Sequence, residues 1–153
     1  MITKKENIVE HILLLWQAED YVRAMGDSED VRTNRFLSEI RDMLYGEGII
    51  VKGHTQVSLV ALSELEQLHS ELYATDATYK AAWLALLPQI TAFKAKTDEP
   101  AMSDMKACLT FLYDIMLLRL RKQPISGATL TTQQQVSSLM RTLALAYREK
   151  QTI

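Results

Sequence analysis

The stretch from Lys5 to Met25 places charge on the helix face that should be buried, and this feature constrains the fold most. Residues three and four apart share one face of an α-helix. The apolar residues of this stretch form one stripe, made of Ile8, Ile12, Leu15 and Val22, with Val9 and Trp16 beside it. Glu19 falls near the middle of that stripe and Arg23 next to it. Because a buried charge without a partner is costly, we expect the rest of the chain to supply partners for both.

The remainder of the chain follows the same helical period, broken at residues that cap or stop helices. The six predicted helices run from Lys5 to Met25, from after Ser28 to about Tyr45, from Thr55 to about Ala74, from Asp76 to before Lys96, from Ser103 to Lys122, and from Ser126 or Thr129 onward. Ser28, Thr55 and Asp76 are predicted to cap the second, third and fourth of these helices. Tyr45 to Gln56 holds three of the five glycines and is predicted to be a loop or a short extended segment. No alternating strand pattern is present. The sequence therefore predicts an all-α fold, an antiparallel bundle of about six helices in one domain, residues 1–153.

The buried faces of two of these helices can be predicted in more detail. The inner face of the third is predicted to consist of Val57, Val60, Ala61, Leu65, Leu68 and Leu72, with Glu64 inside that arc. The fifth is apolar around most of its circumference, through Met105, Cys108, Leu109, Leu112, Tyr113, Met116, Leu117 and Leu120. Such a helix is central in a bundle or covered by another subunit. We expect the first and fifth helices to pack together near the centre.

Composition excludes several classes of partner. The apolar fraction of 48% and charged fraction of 24% are ordinary for a globular protein, and the net charge of −2 gives no electrostatic footprint for nucleic acid. The longest apolar run near the N-terminus, Ile12 to Trp16, is far too short for a membrane span. The single cysteine, Cys108, fits a reducing compartment. We expect a cytoplasmic protein that binds neither nucleic acid nor membrane.

The charges that fall on inner faces define one candidate site, made of Glu19, Arg23, Glu64 and Arg119. One interpretation is a buried network of salt bridges that fixes the register of the helices. The other is a polar pocket in which carboxylates and guanidinium groups orient a small ligand. In either case Glu19 should be buried and paired with an arginine. Arg119, across from it on the fifth helix, is the preferred partner.

Metal and catalytic sites find little support in the residues. Glu66 and His69 match the Glu-x-x-His spacing of di-iron bundles, but those need two such motifs, and His11 and His54 belong to none. Cys108 has no histidine near it in sequence to activate it as a nucleophile. We therefore predict no metal, no other cofactor and no catalytic residue.

These observations leave two functions open. The first is a non-enzymatic bundle that acts through protein contacts, as a homodimer, because the fifth helix is more apolar than one bundle requires. The alternative is a small-ligand-binding protein or an enzyme that uses the inward glutamates and arginines.

Three segments carry a resemblance to a known family: LWQAEDYVRA from Leu15 to Ala24, EGIIVKGH from Glu47 to His54, and LLRLRKQPIS from Leu117 to Ser126. Together they resemble an uncharacterised bacterial family of gut and oral anaerobes, defined only as a domain of unknown function. The resemblance covers nearly the whole chain. It implies a single-domain helical protein and gives no activity, cofactor or catalytic residue.

Overall fold

A side chain caps the N-terminus of every helix in residues 1–152, the part of the chain that this computed structural model describes. Each capping oxygen accepts a hydrogen bond from a backbone N–H three residues further on, which satisfies one of the donors that a helix start leaves free. The caps are Thr3, Ser28, Asn34, Thr55, Asp76, Ser103 and Ser126. The helices are α1 (Lys4–Met25), α2 (Glu29–Thr33), α3 (Arg35–Gly46), α4 (Gln56–Thr75), α5 (Ala77–Ala95), α6 (Asp104–Leu120) and α7 (Gly127–Gln151).

The all-α class is confirmed, and the described residues contain no strand. The second predicted helix is divided in two at Asn34, where the backbone is extended (φ −94°, ψ 115°). Asn34 ends α2 and caps α3 through a bond from the Leu37 N–H, so one predicted helix becomes two and residues 1–152 contain seven helices. None of the helices in residues 1–152 combines the length and apolar character needed to cross a membrane.

The core has two parts that meet on α1. The first half of α1 packs with α4 to α7, and its second half packs with α2 and α3 around Leu15, Val22, Val31, Ile40 and Leu44. The predicted central pairing of the first and fifth helices is wrong, because α1 packs most extensively against α7 and only lightly against α6. The seven helices form one compact body.

The apolar circumference of α6 is covered by the chain itself. Met105, Cys108, Leu109, Tyr113 and Ile115 are buried. Leu112, Met116 and Leu117 pack against the core from its edge. Leu120, in the last turn, is 65% exposed. The observation that motivated a dimer through this helix is therefore explained within one chain.

The buried face of α4 is displaced from the predicted one. Val57 and Val60, which were predicted to face inward, are exposed at 41% and 44%. Ser58 and Leu62 are buried in their place, beside the predicted Ala61, Leu65 and Leu68. Ser58 is a polar residue on the inner face because its hydroxyl has a buried hydrogen-bond acceptor, described below.

Candidate functional site

Glu19 lies in the second half of α1 with its side chain completely buried, as the helical period predicts. Its carboxylate faces the beginning of α4. Oε2 accepts hydrogen bonds from the Thr55 N–H at 3.1 Å, the Thr55 hydroxyl at 2.8 Å and the Ser58 hydroxyl at 2.7 Å. Oε1 accepts one from Nδ1 of His54 at 2.8 Å. Four donors therefore hold this carboxylate, and no buried side-chain polar atom in the described residues lacks a partner.

The surroundings keep Glu19 ionised. Burial alone would raise the pKa of its carboxyl group, but the hydrogen bonds from His54, Ser58 and Thr55 outweigh that cost and hold the pKa below its usual value. The N-terminus of α4 adds the positive end of a helix dipole at the same place. Glu19 thus acts as a second cap for α4, supplied by another helix.

The predicted arginine partners of Glu19 are wrong. Arg23 instead donates to the backbone carbonyls of Ile49 (2.9 Å from Nη2) and Gly53, and Asp20 lies 3.4 Å from it. Arg119 is exposed at the end of α6, where it donates to Gln133 at 2.8 Å. A buried carboxylate needs hydrogen-bond donors, and the neutral donors at the start of α4 fill that role without the cost of burying a cation.

Glu64 also lies apart from Glu19. Its side chain is 34% exposed and accepts hydrogen bonds from Lys4 at 2.8 Å and from the hydroxyl of Tyr147. Burial raises the pKa of Glu64, while Lys4 and Tyr147 lower it by more. The four predicted residues do not form one pocket. The structure brings together Glu19 and Arg23, which bind the same loop.

That loop runs from residue 47 to residue 55 and joins α3 to α4. Gly48 and Gly53 have positive φ angles of 70° and 107°, a conformation that other residues adopt only with strain. Arg23 ties the carbonyls at both ends of the Ile49–Gly53 segment, and Glu19 binds the two residues that follow it. One turn of α1 therefore fixes the loop conformation.

Trp16 and Glu19 together fix the position of the His54 side chain. Its ring stacks on Trp16 with centroids 4.5 Å apart and planes at 18°, while Nδ1 points to Glu19. Because the Glu19 carboxylate can only accept, Nδ1 carries the proton and donates it. Nε2 has no hydrogen-bond partner among residues 1–152. The side chain is 25% exposed.

The stacking partner of His54 is itself held in place. Tyr113 of α6 meets the Trp16 ring edge-on, with centroids 6.0 Å apart, and donates its hydroxyl proton to Asp20. Burial and the neighbouring carboxylate raise the pKa of Tyr113, so its proton stays on the phenol. Trp16 is therefore held by Tyr113 and gives His54 a fixed stacking surface.

His54 borders a cleft between the loop and the connection from α5 to α6. The cleft has two adjoining parts of about 440 and 520 Å³. Both are lined by His54, Asp98, Glu99 and Lys106, with Lys52, Lys96 and Asp114 at their edges and Phe93 and Met102 among the apolar residues. Lys106 pairs with Glu99 at 2.8 Å. Partial burial raises the pKa of Asp114. The walls thus carry charges of both signs.

The other histidines and the cysteine lie elsewhere. Nδ1 of His69 is 2.6 Å from the Tyr79 hydroxyl, and burial lowers the pKa of this histidine. Nδ1 of His11 bonds the carbonyl of Ile2. No three histidine, cysteine or acidic side chains converge in residues 1–152 as a metal would require. Burial raises the pKa of Cys108 to about 12, so it is a thiol at neutral pH.

His54, Thr55 and Ser58 were the functional residues that sequence reasoning missed as partners of Glu19. Thr55 was identified as a helix cap, and the cap is confirmed by the bond from the Ser58 N–H. The usable signal was Ser58 itself, a polar residue that lies three and four positions before the buried Ala61 and Leu62 and so shares their face.

Comparison with known proteins identifies the family of this chain. No curated protein and no solved structure matches the chain. A family model described as a domain of unknown function, DUF4924, matches residues 2–152. That match spans nearly the whole chain and agrees with the resemblance carried by its three segments. The chain belongs to the DUF4924 family.

Proposed function

We propose that this protein binds a small polar ligand in the cleft beside His54, with Nε2 of the imidazole as the group that meets the ligand. The observation that carries the proposal is the complete burial of Glu19 together with its bond to Nδ1 of His54. A carboxylate in this position fixes which ring nitrogen is protonated and how the ring is oriented.

The arrangement defines what His54 can do. With the proton on Nδ1, Nε2 has a lone pair directed away from Glu19. It can accept a hydrogen bond from a ligand O–H or N–H, or take a proton as a general base. Stacking on Trp16 and the bond to Glu19 hold the ring before any ligand arrives, which reduces the entropy cost of binding.

The cleft favours a ligand that carries polar groups of both kinds. Lys52 and Lys106 supply cations, while Asp98 and Asp114 supply carboxylates on the same walls. We infer a zwitterionic or hydroxylated small molecule rather than a purely apolar one.

A purely structural role for the same network is the rival explanation, since Glu19 also fastens the loop and caps α4. The variant His54→Asn separates the structural role from the binding role, and Gln67→Ala is its control. In His54→Asn the side-chain amide can still donate to Glu19, but the group equivalent to Nε2 is lost. In Gln67→Ala, an exposed position on α4, the cleft is untouched.

The test is a thermal-shift screen against amino acids, hydroxy acids, sugars and nucleotides, because a ligand that binds the native state raises the melting temperature. We expect at least one compound to raise the melting temperature of the wild type and of Gln67→Ala but not of His54→Asn. If no compound binds, or if His54→Asn binds as well as the wild type, the cleft is not the functional site and the network is structural.

Protein contacts through a homodimer form a second proposal. Its original motive, the apolar circumference of α6, is accounted for within the chain. Light scattering tests this second proposal: a mass near twice 17.4 kDa would support the homodimer, and a mass near 17.4 kDa would contradict it.

A further inference from the structure

A cavity lies between the last turn of α6 and the side of α7. It encloses about 430 Å³, and two arginines border it, Arg119 from α6 and Arg141 from α7. Every other residue of its lining is uncharged, and most of them are polar, including Gln133 and Ser137. The cavity shares no residue with the cleft beside His54, so it is a separate candidate site.

The two arginines belong to the longest part of the chain that has no carboxylate side chain. Residues 115–148 hold five lysines and arginines and no aspartate or glutamate, although the chain as a whole has a net charge of −2. Neither Arg119 nor Arg141 forms an ion pair within residues 1–152. Two guanidinium groups without a counter-charge therefore border one cavity, which attracts an anion.

Neutral hydrogen-bonding groups complete the lining. Nη2 of Arg119 donates to Oε1 of Gln133 at 2.8 Å, which orients the guanidinium group beside α7. Three threonine hydroxyls of α7 donate to the backbone carbonyl four residues earlier. The hydroxyl of Ser137 makes no such bond within the described residues, so its proton is available to a ligand in the cavity.

We propose that this cavity binds the phosphate group of a small molecule, with Arg119 and Arg141 as its charged donors and Ser137 as a neutral donor. Each guanidinium group presents a planar fork of N–H donors that matches two phosphate oxygens. A phosphate dianion carries the two negative charges that two arginines neutralise, whereas a carboxylate carries one. The lining has no aromatic side chain on which a nucleic acid base could stack, so a polymer of nucleotides fits less well.

A second, smaller cavity gives room for the rest of such a molecule. It encloses about 220 Å³ and shares Ser137 and Arg141 with the first. Asn7 and Glu10 of α1 also border it, so its polar groups can bind hydroxyl or amino groups of the ligand. Glu10 forms no ion pair with Arg141, but its charge lies on the same side of the protein and should weaken the binding of an anion.

Phosphorus-31 NMR of inorganic phosphate, titrated with the full chain at constant ionic strength, tests the proposal. We expect saturable binding, and a dissociation constant about tenfold or more higher in Arg119→Gln and in Arg141→Gln, because each loses charge-assisted hydrogen bonds to the phosphate. Arg148→Gln is the matched control. It removes the same charge from an exposed position of α7, two turns beyond Arg141 and outside the cavity, and should leave the dissociation constant nearly unchanged.

Glu10→Gln should act in the opposite direction and tighten the binding of phosphate. All of these positions are exposed, and circular dichroism verifies that the variants are folded. Absence of saturable binding in the millimolar range of phosphate overturns the proposal. An equal loss of affinity in Arg148→Gln overturns it as well, because the anion is then attracted by the basic region as a whole and not held in the cavity. Displacement of phosphate by an equal concentration of acetate would contradict the preference for phosphate.

Discussion

Glu19 and Glu64 are both carboxylates that the helical period places on inner faces, yet their surroundings differ completely. Glu19 is fully buried and bound by four donors from one short segment. Glu64 is 34% exposed and bound by a lysine and a tyrosine from the two ends of the chain. An inward carboxylate therefore stays buried where a helix N-terminus supplies hydrogen-bond donors, and otherwise lies at the edge of the core.

The largest effect should come from Glu19→Ala. The change leaves the Thr55 N–H and two hydroxyl groups buried without their acceptor, and it opens a cavity. We expect the free energy of unfolding to fall by about 3 kcal/mol or more, measured by urea denaturation. Glu64→Ala is the matched comparison and should cost less than about 1 kcal/mol, because exposed ion pairs contribute little. Equal losses in the free energy of unfolding would contradict the difference between the buried and the partly exposed carboxylate.

Glu19→Gln should have a smaller effect. No buried cation is left alone by this change, since the donors to Glu19 are neutral groups and a histidine. The amide oxygen can keep the bonds from α4 while the amide nitrogen faces His54. We expect a loss of about 1–2 kcal/mol, which is the charge-assisted part of these bonds. A loss as large as that of Glu19→Ala would mean that the amide cannot be accommodated.

The difference in stability between the wild type and Glu19→Gln should depend on pH. The pKa of Glu19 is lowered from 4.5 in the folded protein, so its ionised form stabilises the fold above that value, and the contribution is lost as the pH falls through the folded pKa. The stability gap between the wild type and Glu19→Gln should therefore be constant from about pH 6 to 8 and close below about pH 4.5. Urea denaturation across this range measures it. A gap that widens in acid would contradict the assignment.

Tyr147→Phe should have the smallest effect. It removes the hydroxyl that donates to Glu64 at the half-exposed site, while Lys4 remains as a donor. The burial of the hydroxyl and the neighbouring carboxylate raise the pKa of Tyr147 to about 12. We expect a loss below about 1 kcal/mol. The difference between the spectroscopic titrations of the wild type and of Tyr147→Phe isolates Tyr147 and checks its pKa. A difference that titrates near 10 would place Tyr147 away from Glu64.

The sequence predicted those features that are set locally. Helix caps such as Thr55 and Asp76 were identified correctly because capping involves residues only three apart, and the burial of Glu19 followed from the period of α1. The partners of Glu19 could not be predicted in this way. Thr55 and Ser58 lie 36 and 39 residues further along the chain and meet Glu19 only through the path of the loop.

The prediction that the Arg119 side chain points into the core was wrong. Its position on the apolar side of the helix predicted an inward side chain, but it belongs to the last turn of α6, beside Leu120, which is 65% exposed. The core no longer covers the helix at that point. Periodicity gives the direction of a side chain and does not indicate where along a helix the covering neighbours end.

Glu19 holds the proton of His54 on Nδ1 and leaves Nε2 open to the cleft. Nitrogen-15 NMR of the histidine side chains measures this directly, with His54 assigned by its absence in His54→Asn. In the neutral ring above pH 8 we expect the Nδ1–H form for His54, and a shift toward the Nε2–H form in Glu19→Gln. A neutral His54 that carries its proton on Nε2 in the wild type would contradict the account.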